Sequence, residues 1–261
     1  MAGGYICITG ASSGLGSHFA CQMAEKGHQL ILTGRNLAAL KAVQARCLSL
    51  GARACHYFQA DLADLKQMTA LIDYCQSQGQ LAGLVHCAAS ARFESALKHT
   101  KAETSASLDL NLKHAILLTL EFAQVLLVQG QGGQIMLVSS VAALAQTPDR
   151  TLYATSKAGL HAFANGLRFD LAPYDIQVSS VLAGPISGTP FIEKAGQTGL
   201  NETFAIPVDR LARQMVQTWH KRQACLIAPA YYRLPIIAWA LFPNLMPRAS
   251  QWAFNHFNLR S

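Results

Sequence analysis

Residues 5–16 constrain the fold more than any other stretch of the chain. Tyr5-Ile6-Cys7-Ile8-Thr9 is a short apolar run rich in β-branched residues, the pattern of a buried strand. It breaks at Gly10-Ala11-Ser12-Ser13-Gly14-Leu15-Gly16, and a helical pattern follows through Ala24. Strand, glycine-rich turn and helix in that order open a strand–helix–strand unit. The glycines allow a tight turn and the close approach of a diphosphate. The helix N-terminus adds free N–H groups and a partial positive charge.

The alternation continues along the chain. Strands are predicted at 29–33, 55–58, 83–87, 134–138, 176–182 and 224–227. Helices are predicted at 36–50 (with Asn36 as N-cap), 65–75, 101–128, 153–171 and 208–220. Such alternation implies an α/β fold: a single doubly wound parallel sheet, Rossmann-type, of about seven strands with helices on both faces. One dinucleotide-binding and catalytic domain is expected over 1–228, with a substrate lid at 188–206, and a basic, aromatic extension over 229–261. In such sheets ligands sit at the carboxyl ends of the strands. The turn 10–16, Asp61, Cys87 to Ala89, Ser140 and Gly184 all follow strand ends and should line one crevice.

Tyr153 and Lys157 stand four residues apart within the predicted helix, so they share a face one turn apart. An ammonium close to a phenol favours phenolate and is expected to lower the Tyr pKa from about 10. A phenol so tuned can give a proton to a carbonyl oxygen or take one from an alcohol. The spacing alone is common on amphipathic helices and gains weight only from its surroundings.

With those surroundings included, the chain resembles the short-chain dehydrogenase/reductase family of NAD(P)-dependent oxidoreductases, over most of its length. The family's TGxxxGxG motif is matched by Thr9, Gly10, Gly14 and Gly16, and its Asn, Ser and Tyr-xxx-Lys by Asn111, Ser140, Tyr153 and Lys157. Ser140 is chosen over Ser139 because the family's active serine is the second of such a pair. The resemblance implies hydride transfer that interconverts a ketone or aldehyde and an alcohol. Ser140 would hold the substrate oxygen and Tyr153 would exchange its proton. Lys157 would depress the Tyr pKa and bind the nicotinamide ribose. Asn111 would hold a helix bend and a water linking Lys157 to solvent. Cofactor contacts are implied at Thr9, Gly10, Ser12, Ser13, Gly14, Leu15, Gly16, Asp61, Leu62, Cys87, Ala88, Tyr153, Lys157, Gly184, Ile186 and Thr189.

The end of the second strand discriminates NADH from NADPH. An acid there would bind the ribose 2′-hydroxyl, but this chain has Thr33-Gly34-Arg35-Asn36. Arg35 can pair with a 2′-phosphate and stack on adenine, so NADP(H) is favoured over NAD(H). Three departures from the family pattern touch the fine contacts. His86-Cys87-Ala88-Ala89 replaces Asn-Asn-Ala-Gly, Ala183-Gly184 replaces Pro-Gly, and the carboxamide-contacting Thr falls one residue late, as Thr189. His86 is expected to be a buried, hydrogen-bonded residue, not a base.

A hydrophobic content of 51% with 13% charged residues excludes a disordered chain. No uninterrupted apolar run spans a bilayer and no basic leader precedes the first strand, so a cytoplasmic protein is expected. Seven scattered cysteines without a CxxC pair fit free thiols in a reducing compartment, with no metal site. Residues 1–209 carry 14 Lys/Arg and 14 Asp/Glu, while 210–261 carry Arg210, Arg213, Lys221, Arg222, Arg233, Arg248 and Arg260 and no acid. A local surface role suits this +7 excess better than a nucleic-acid groove. Within 229–261 those arginines mix with an apolar run at 236–242 and with Leu245, Met246, Trp252, Phe254 and Phe257. Peripheral membrane contact and packing on a second subunit or on the cleft both stay open. A homodimer or homotetramer is expected, and Phe191 and Phe204 are candidate lid contacts to a lipophilic small-molecule carbonyl or alcohol. Two rival readings are a non-catalytic dinucleotide-binding sensor or scaffold and a reductase of 3-oxoacyl chains held on an acidic carrier protein.

Overall fold

The strands are β1 (Tyr5–Thr9), β2 (Gln29–Gly34), β3 (Ala54–Gln59), β4 (Leu81–His86), β5 (Gly133–Ser140), β6 (Ile176–Ala183), the two-residue β7 (Ile186–Ser187) and β8 (Ile206–Pro207), and β9 (Cys225–Ala228). Seven of them form one parallel sheet in the order β3-β2-β1-β4-β5-β6-β9. The structure is a computed structural model that describes residues 3–196 and 204–256. Between the strands run α1 (Gly14–Ala24), α2 (Leu37–Ser49), α3 (Leu65–Gln78), α4 (Lys101–Leu108), α5 (His114–Gln129), α6 (Thr151–Leu171), the short α7 (Phe191–Lys194) and α8 (Val208–His220).

Central strands buried on both faces read as continuous apolar runs, and all eight residues of β5 are buried. Successive residues serve opposite sides. Ile6 and Ile8 join Phe19, Leu32, Met136 and Trp219 under α1 and α8, whereas Cys7 joins Leu71, Phe122 and Leu160 under α3, α5 and α6. The strand order reverses between β1 and β4, and that is where an open α/β sheet forms its binding crevice.

Asn36 caps α2 as expected, its Oδ1 accepting the Ala39 N–H at 3.0 Å. Strand and helix limits shift by one to three residues, except for β1 and α8, which match. The single helix predicted over 101–128 is broken. A π-helical turn at Asp109–Lys113 separates α4, which opens with a Thr100/Glu103 capping box, from α5. By length and composition the run Lys101–Gln129 could cross a membrane, yet half of its apolar window lies inside the fold, under β4. The lid is not all loop, since β7 and β8 pair in parallel and α7 lies between them. Lid residues 197–203, together with Phe257 and Arg260, lie outside the described residues.

The extension is attached to the domain. It forms α9 (Arg233–Leu241) and α10 (Met246–His256), and Tyr232 and Ile236 pack on Val141, Ala143 and Leu182. The seven cysteines are free thiols, with Cys225 exposed.

Candidate active site

β1 meets α1 through a turn that glycine alone can make. Gly10 adopts φ 64°, and a Cβ on Gly16 would lie 2.5 Å from the Gly10 carbonyl oxygen. Ser13 at the N-cap makes no side-chain capping bond and the first turn holds no acid, which leaves its N–H groups for an anionic ligand. Leu15 packs on the core, and Ser12 lies against Gly34 at the end of β2.

Thr9 ties the ends of β1 and β4 together. Its Oγ1 accepts N–H groups from Cys87 and Ala88, each at 3.1 Å, and lies 3.0 Å from His86 Nδ1. With two N–H groups already accepted, the hydroxyl proton points to Nδ1, so the imidazole proton is assigned to Nε2. That Nε2 is buried without a partner. Burial, then the Lys157 charge, pushes the His86 pKa down to about 3, so the ring is neutral. The expected hydrogen-bonded histidine is thus satisfied on one side only.

The four catalytic candidates gather at the carboxyl ends of β4 and β5. Asn111 is buried in the π-turn and clamps Ser90, accepting its N–H at 2.9 Å and donating to its carbonyl at 2.7 Å. Ser139 Oγ donates to the Lys157 carbonyl at 2.8 Å, whereas the Ser140 hydroxyl hydrogen-bonds the Tyr153 phenol. Lys157 is 2% exposed. Its Nζ donates to the Val138 carbonyl at 2.8 Å and stands 5.8 Å from the Tyr153 ring centroid.

The electrostatics differ from what the Tyr153–Lys157 spacing suggested. Tyr153 is half-buried as a residue, and desolvation by burial pushes its pKa up to about 12. The groups that oppose this rise are the Ser140 hydrogen bond and Arg150. Desolvation lowers Lys157 to about 8 against the partial support of Cys87. Desolvation of the charged form therefore prevails, and Lys157 is not among the groups that oppose it.

Aromatic rings wall the cleft. Phe93 meets Tyr153 edge-on at 5.5 Å, and Phe191 stands 6.0 Å from Tyr153 and 6.4 Å from Phe93. The Phe93 N–H donates to the Ala195 carbonyl at 2.7 Å, fastening this wall to the lid. The Arg150 guanidinium lies over Phe93, 4.8 Å from its centroid. Phe204 engages through its carbonyl, which accepts the Tyr231 hydroxyl at 2.8 Å. Sequence reasoning missed Phe93 and Arg150. The first is an isolated aromatic in a long loop and the second immediately precedes α6, and neither position carries a periodic signal.

The remaining cofactor candidates divide between the two ends of the crevice. A Cβ on Gly14 would lie 3.7 Å from Thr189, whose Oγ1 is buried and has no partner. Ile186 packs on the core beside it. Tyr232 of the extension covers Gly184, where a Cβ would come within 2.8 Å of its ring. At the other end, Arg35 and Asp61 line a cavity of about 350 Å³ with Gln59 and Gln67. Leu62 is buried behind it, its carbonyl 2.9 Å from His114 Nδ1. The glycine cradle, the open first turn of α1 and the orphaned Thr189 hydroxyl fit a bound dinucleotide.

Comparison with known proteins agrees with this geometry. The profile described as short chain dehydrogenase matches residues 4–199. A hydroxysteroid 11-beta-dehydrogenase 1-like protein of Gallus gallus is 28% identical over 265 residues, covering 98% of this chain and 88% of that protein. An 11-beta-hydroxysteroid dehydrogenase A of Sesamum indicum is 27% identical, covering 100% and 77%. The solved structure of a short-chain dehydrogenase from Sphingobium yanoikuyae in complex with NADPH superposes with a TM-score of 0.81 at 25% identity, covering 92% of this chain and 96% of that chain. The chain belongs to the short-chain dehydrogenase/reductase family of oxidoreductases.

Proposed function

We propose that this oxidoreductase prefers NADPH and interconverts a lipophilic ketone or aldehyde and its alcohol, with Tyr153 as acid and base. The observation that carries the reading is the Tyr153 hydroxyl bonded to Ser140, one helical turn from the buried Lys157. Bound NADPH would supply the hydride. Ser140 Oγ holds the substrate oxygen near Tyr153. The phenol gives its proton to that oxygen during reduction and takes it back in the reverse reaction. A pKa near 12 keeps Tyr153 protonated at neutral pH, the form that reduction requires. Lys157 has one N–H on Val138, and an ammonium has two more for ribose hydroxyls. Asn111 braces the wall through Ser90. Its amide keeps a second N–H and a second lone pair, which suit the water expected to link Lys157 to solvent.

NADPH preference rests on Arg35, exposed at the end of β2, where no acid stands. Losing a charge-assisted pair with a 2′-phosphate is worth about 1.5–3 kcal/mol, so Arg35→Asp should cost NADPH about tenfold or more in KM while sparing NADH. Phe93 and Phe191 favour an apolar substrate, and the relatives named for hydroxysteroids make steroid ketones a sensible first panel. NADPH turnover with that panel tests the function. Binding without turnover would favour the sensor or scaffold, and faster reduction of a carrier-bound than of a free 3-oxoacyl thioester would favour the carrier-protein reductase.

The reading extends to a cytoplasmic homodimer or homotetramer that touches an anionic membrane surface through 229–261. Leu234, Ile237 and Leu241 share one face of α9 and are 71%, 52% and 65% exposed. Beyond Asp209 the chain has basic groups and no acid, so a twofold contact through this face would oppose like charges. Sedimentation with anionic vesicles should be lost when Ile237 and Leu241 are both changed to Glu. Equal sedimentation of the two proteins would sink the membrane contact.

A further inference from the structure

Tyr232 belongs to the basic, aromatic extension, yet it reaches the catalytic end of the sheet. It packs on Val141, Ala143 and Leu182. Val141–Ala143 is the single 3₁₀ turn that follows β5, and Ser140 Oγ accepts the Ala142 N–H at 3.2 Å as its N-cap. The turn that Tyr232 covers is therefore the one that seats Ser140. Just past the end of β6, a glycine makes room for the phenol ring. A Cβ on Gly184 would stand 2.8 Å from Tyr232 Cε2 and 3.1 Å from Cδ2, so a larger residue there would displace the ring. Burial lowers the Arg150 pKa, and the Tyr153 and Tyr232 phenols, then Asp149, oppose that fall. Both phenols thus lie within electrostatic reach of the guanidinium that covers Phe93. The Tyr232 hydroxyl is 3.5 Å from the Phe204 carbonyl oxygen of the lid, at the limit of a hydrogen bond, whereas the Tyr231 hydroxyl donates to the same oxygen at 2.8 Å. Tyr231 anchors the lid and braces Tyr232, their ring centroids 5.0 Å apart at 33°. Tyr232 is left half-buried among the Ser140 turn, the end of β6 and the lid.

We propose that Tyr232 is a specificity-determining residue whose ring forms the wall of the substrate cleft beside Ser140. The extension is then a part of the active site. Phe93 and Phe191 line the cleft on the Tyr153 side, so the apolar body of a ketone meets aromatic carbon there and again at Tyr232. The inference rests on the proposed reading of the Ser140–Tyr153 cluster as a carbonyl site and adds to it the residue that limits substrate bulk.

Calorimetric titration of two ketones, the slender methyl hexyl ketone and the cage-shaped adamantanone, into the NADPH complex of the full chain tests the wall. Tyr153→Phe is the background throughout, so binding is read without turnover. Tyr232→Ala should shift the ratio of the two dissociation constants toward adamantanone by about tenfold or more, since one methylene in an apolar pocket is already worth about 10–200-fold. Tyr232→Phe keeps the ring and should hold the ratio within about threefold. The Tyr231 hydroxyl still meets the Phe204 carbonyl in both variants. Unchanged circular dichroism and NADPH affinity would show that each variant is folded. Should Tyr232→Ala fail that check, Tyr232→Leu keeps apolar packing on Val141 and Ala143 and carries the same expected shift. A ratio unmoved by the loss of the ring, a shift equally large in Tyr232→Phe, or binding of neither ketone when Tyr232 is intact would overturn the wall. The carbonyl reading is judged separately, by NADPH turnover in the chain that retains Tyr153. Absent turnover with a shifted binding ratio would sink hydride transfer and keep Tyr232 as the wall of a binding cleft, whereas turnover with an unmoved ratio would sink the wall alone.

Discussion

Gly16→Ala should damage this protein, whereas Gly166→Ala should improve it. A Cβ at residue 16 would stand 2.5 Å from the Gly10 carbonyl oxygen and 2.8 Å from its carbon, where ordinary contact begins at 3.4 Å. Both atoms are backbone, so no side chain can rotate aside. α1 would have to retreat from β1 by roughly 0.9 Å, and overpacking of that kind costs about 1–3 kcal/mol. The retreat also carries the first turn of α1 away from the proposed diphosphate site. Loss of one charge-assisted hydrogen bond there, about 1.5–3 kcal/mol, would weaken NADPH binding about ten- to a hundredfold. Gly166 lies inside α6 with nothing within 4 Å of its Cβ position, so alanine there should add about 0.5–1 kcal/mol through helix propensity. Urea unfolding followed by circular dichroism gives the stabilities, and quenching of NADPH fluorescence gives the affinity. A Gly16→Ala protein with wild-type midpoint and wild-type affinity would refute the role assigned to the turn.

Lys157→Met should abolish turnover yet raise stability near neutral pH, because the folded pKa of about 8 lies below the ordinary 10.5. In that window the unfolded chain binds more protons, so wild-type stability should climb with pH from about 8 to about 10. The climb should vanish in the variant, and parallel pH profiles would contradict the burial argument. Thr9→Val would strand the Cys87 and Ala88 N–H groups and His86 Nδ1, at about 1–3 kcal/mol for each group left unpaired. Thr9→Ser should restore wild-type unfolding, and failure of that rescue would mean that the methyl group matters and not the hydroxyl. Arg150→Met should move the ascending limb of the pH profile for alcohol oxidation to higher pH, since Arg150 opposes the rise in the Tyr153 pKa. Arg150→Lys should move it back, and superposed profiles for all three proteins would remove Arg150 from the account.

The sheet was legible because its strands are short apolar runs bounded by turn residues, and local signals of that kind survive folding. Asn36 capping α2 and the glycines of the first turn belong to the same class: their chemistry is set by neighbours in sequence. The π-turn at Asp109–Lys113 was hidden, because Leu110 and Leu112 continue an apolar pattern that an unbroken helix would also show. Contacts that join distant segments were hidden too. Phe93, Arg150 and Tyr232 reach the catalytic helix from three separate loops. The pKa of Tyr153 illustrates the deepest limit. Spacing shows that an ammonium is near, but desolvation depends on everything packed around the phenol, and here desolvation prevails.

The central claim is that Tyr153 carries the proton while the rest of the cleft holds the dinucleotide. Single-turnover reduction of a ketone substrate by prebound NADPH, compared between wild type and Tyr153→Phe, tests it most directly. NADPH affinity should stay unchanged within about threefold and the reduction rate should fall by about 10²–10⁴, the scale of a lost general acid. A Tyr153→Phe protein that reduces the ketone at the wild-type rate would contradict it.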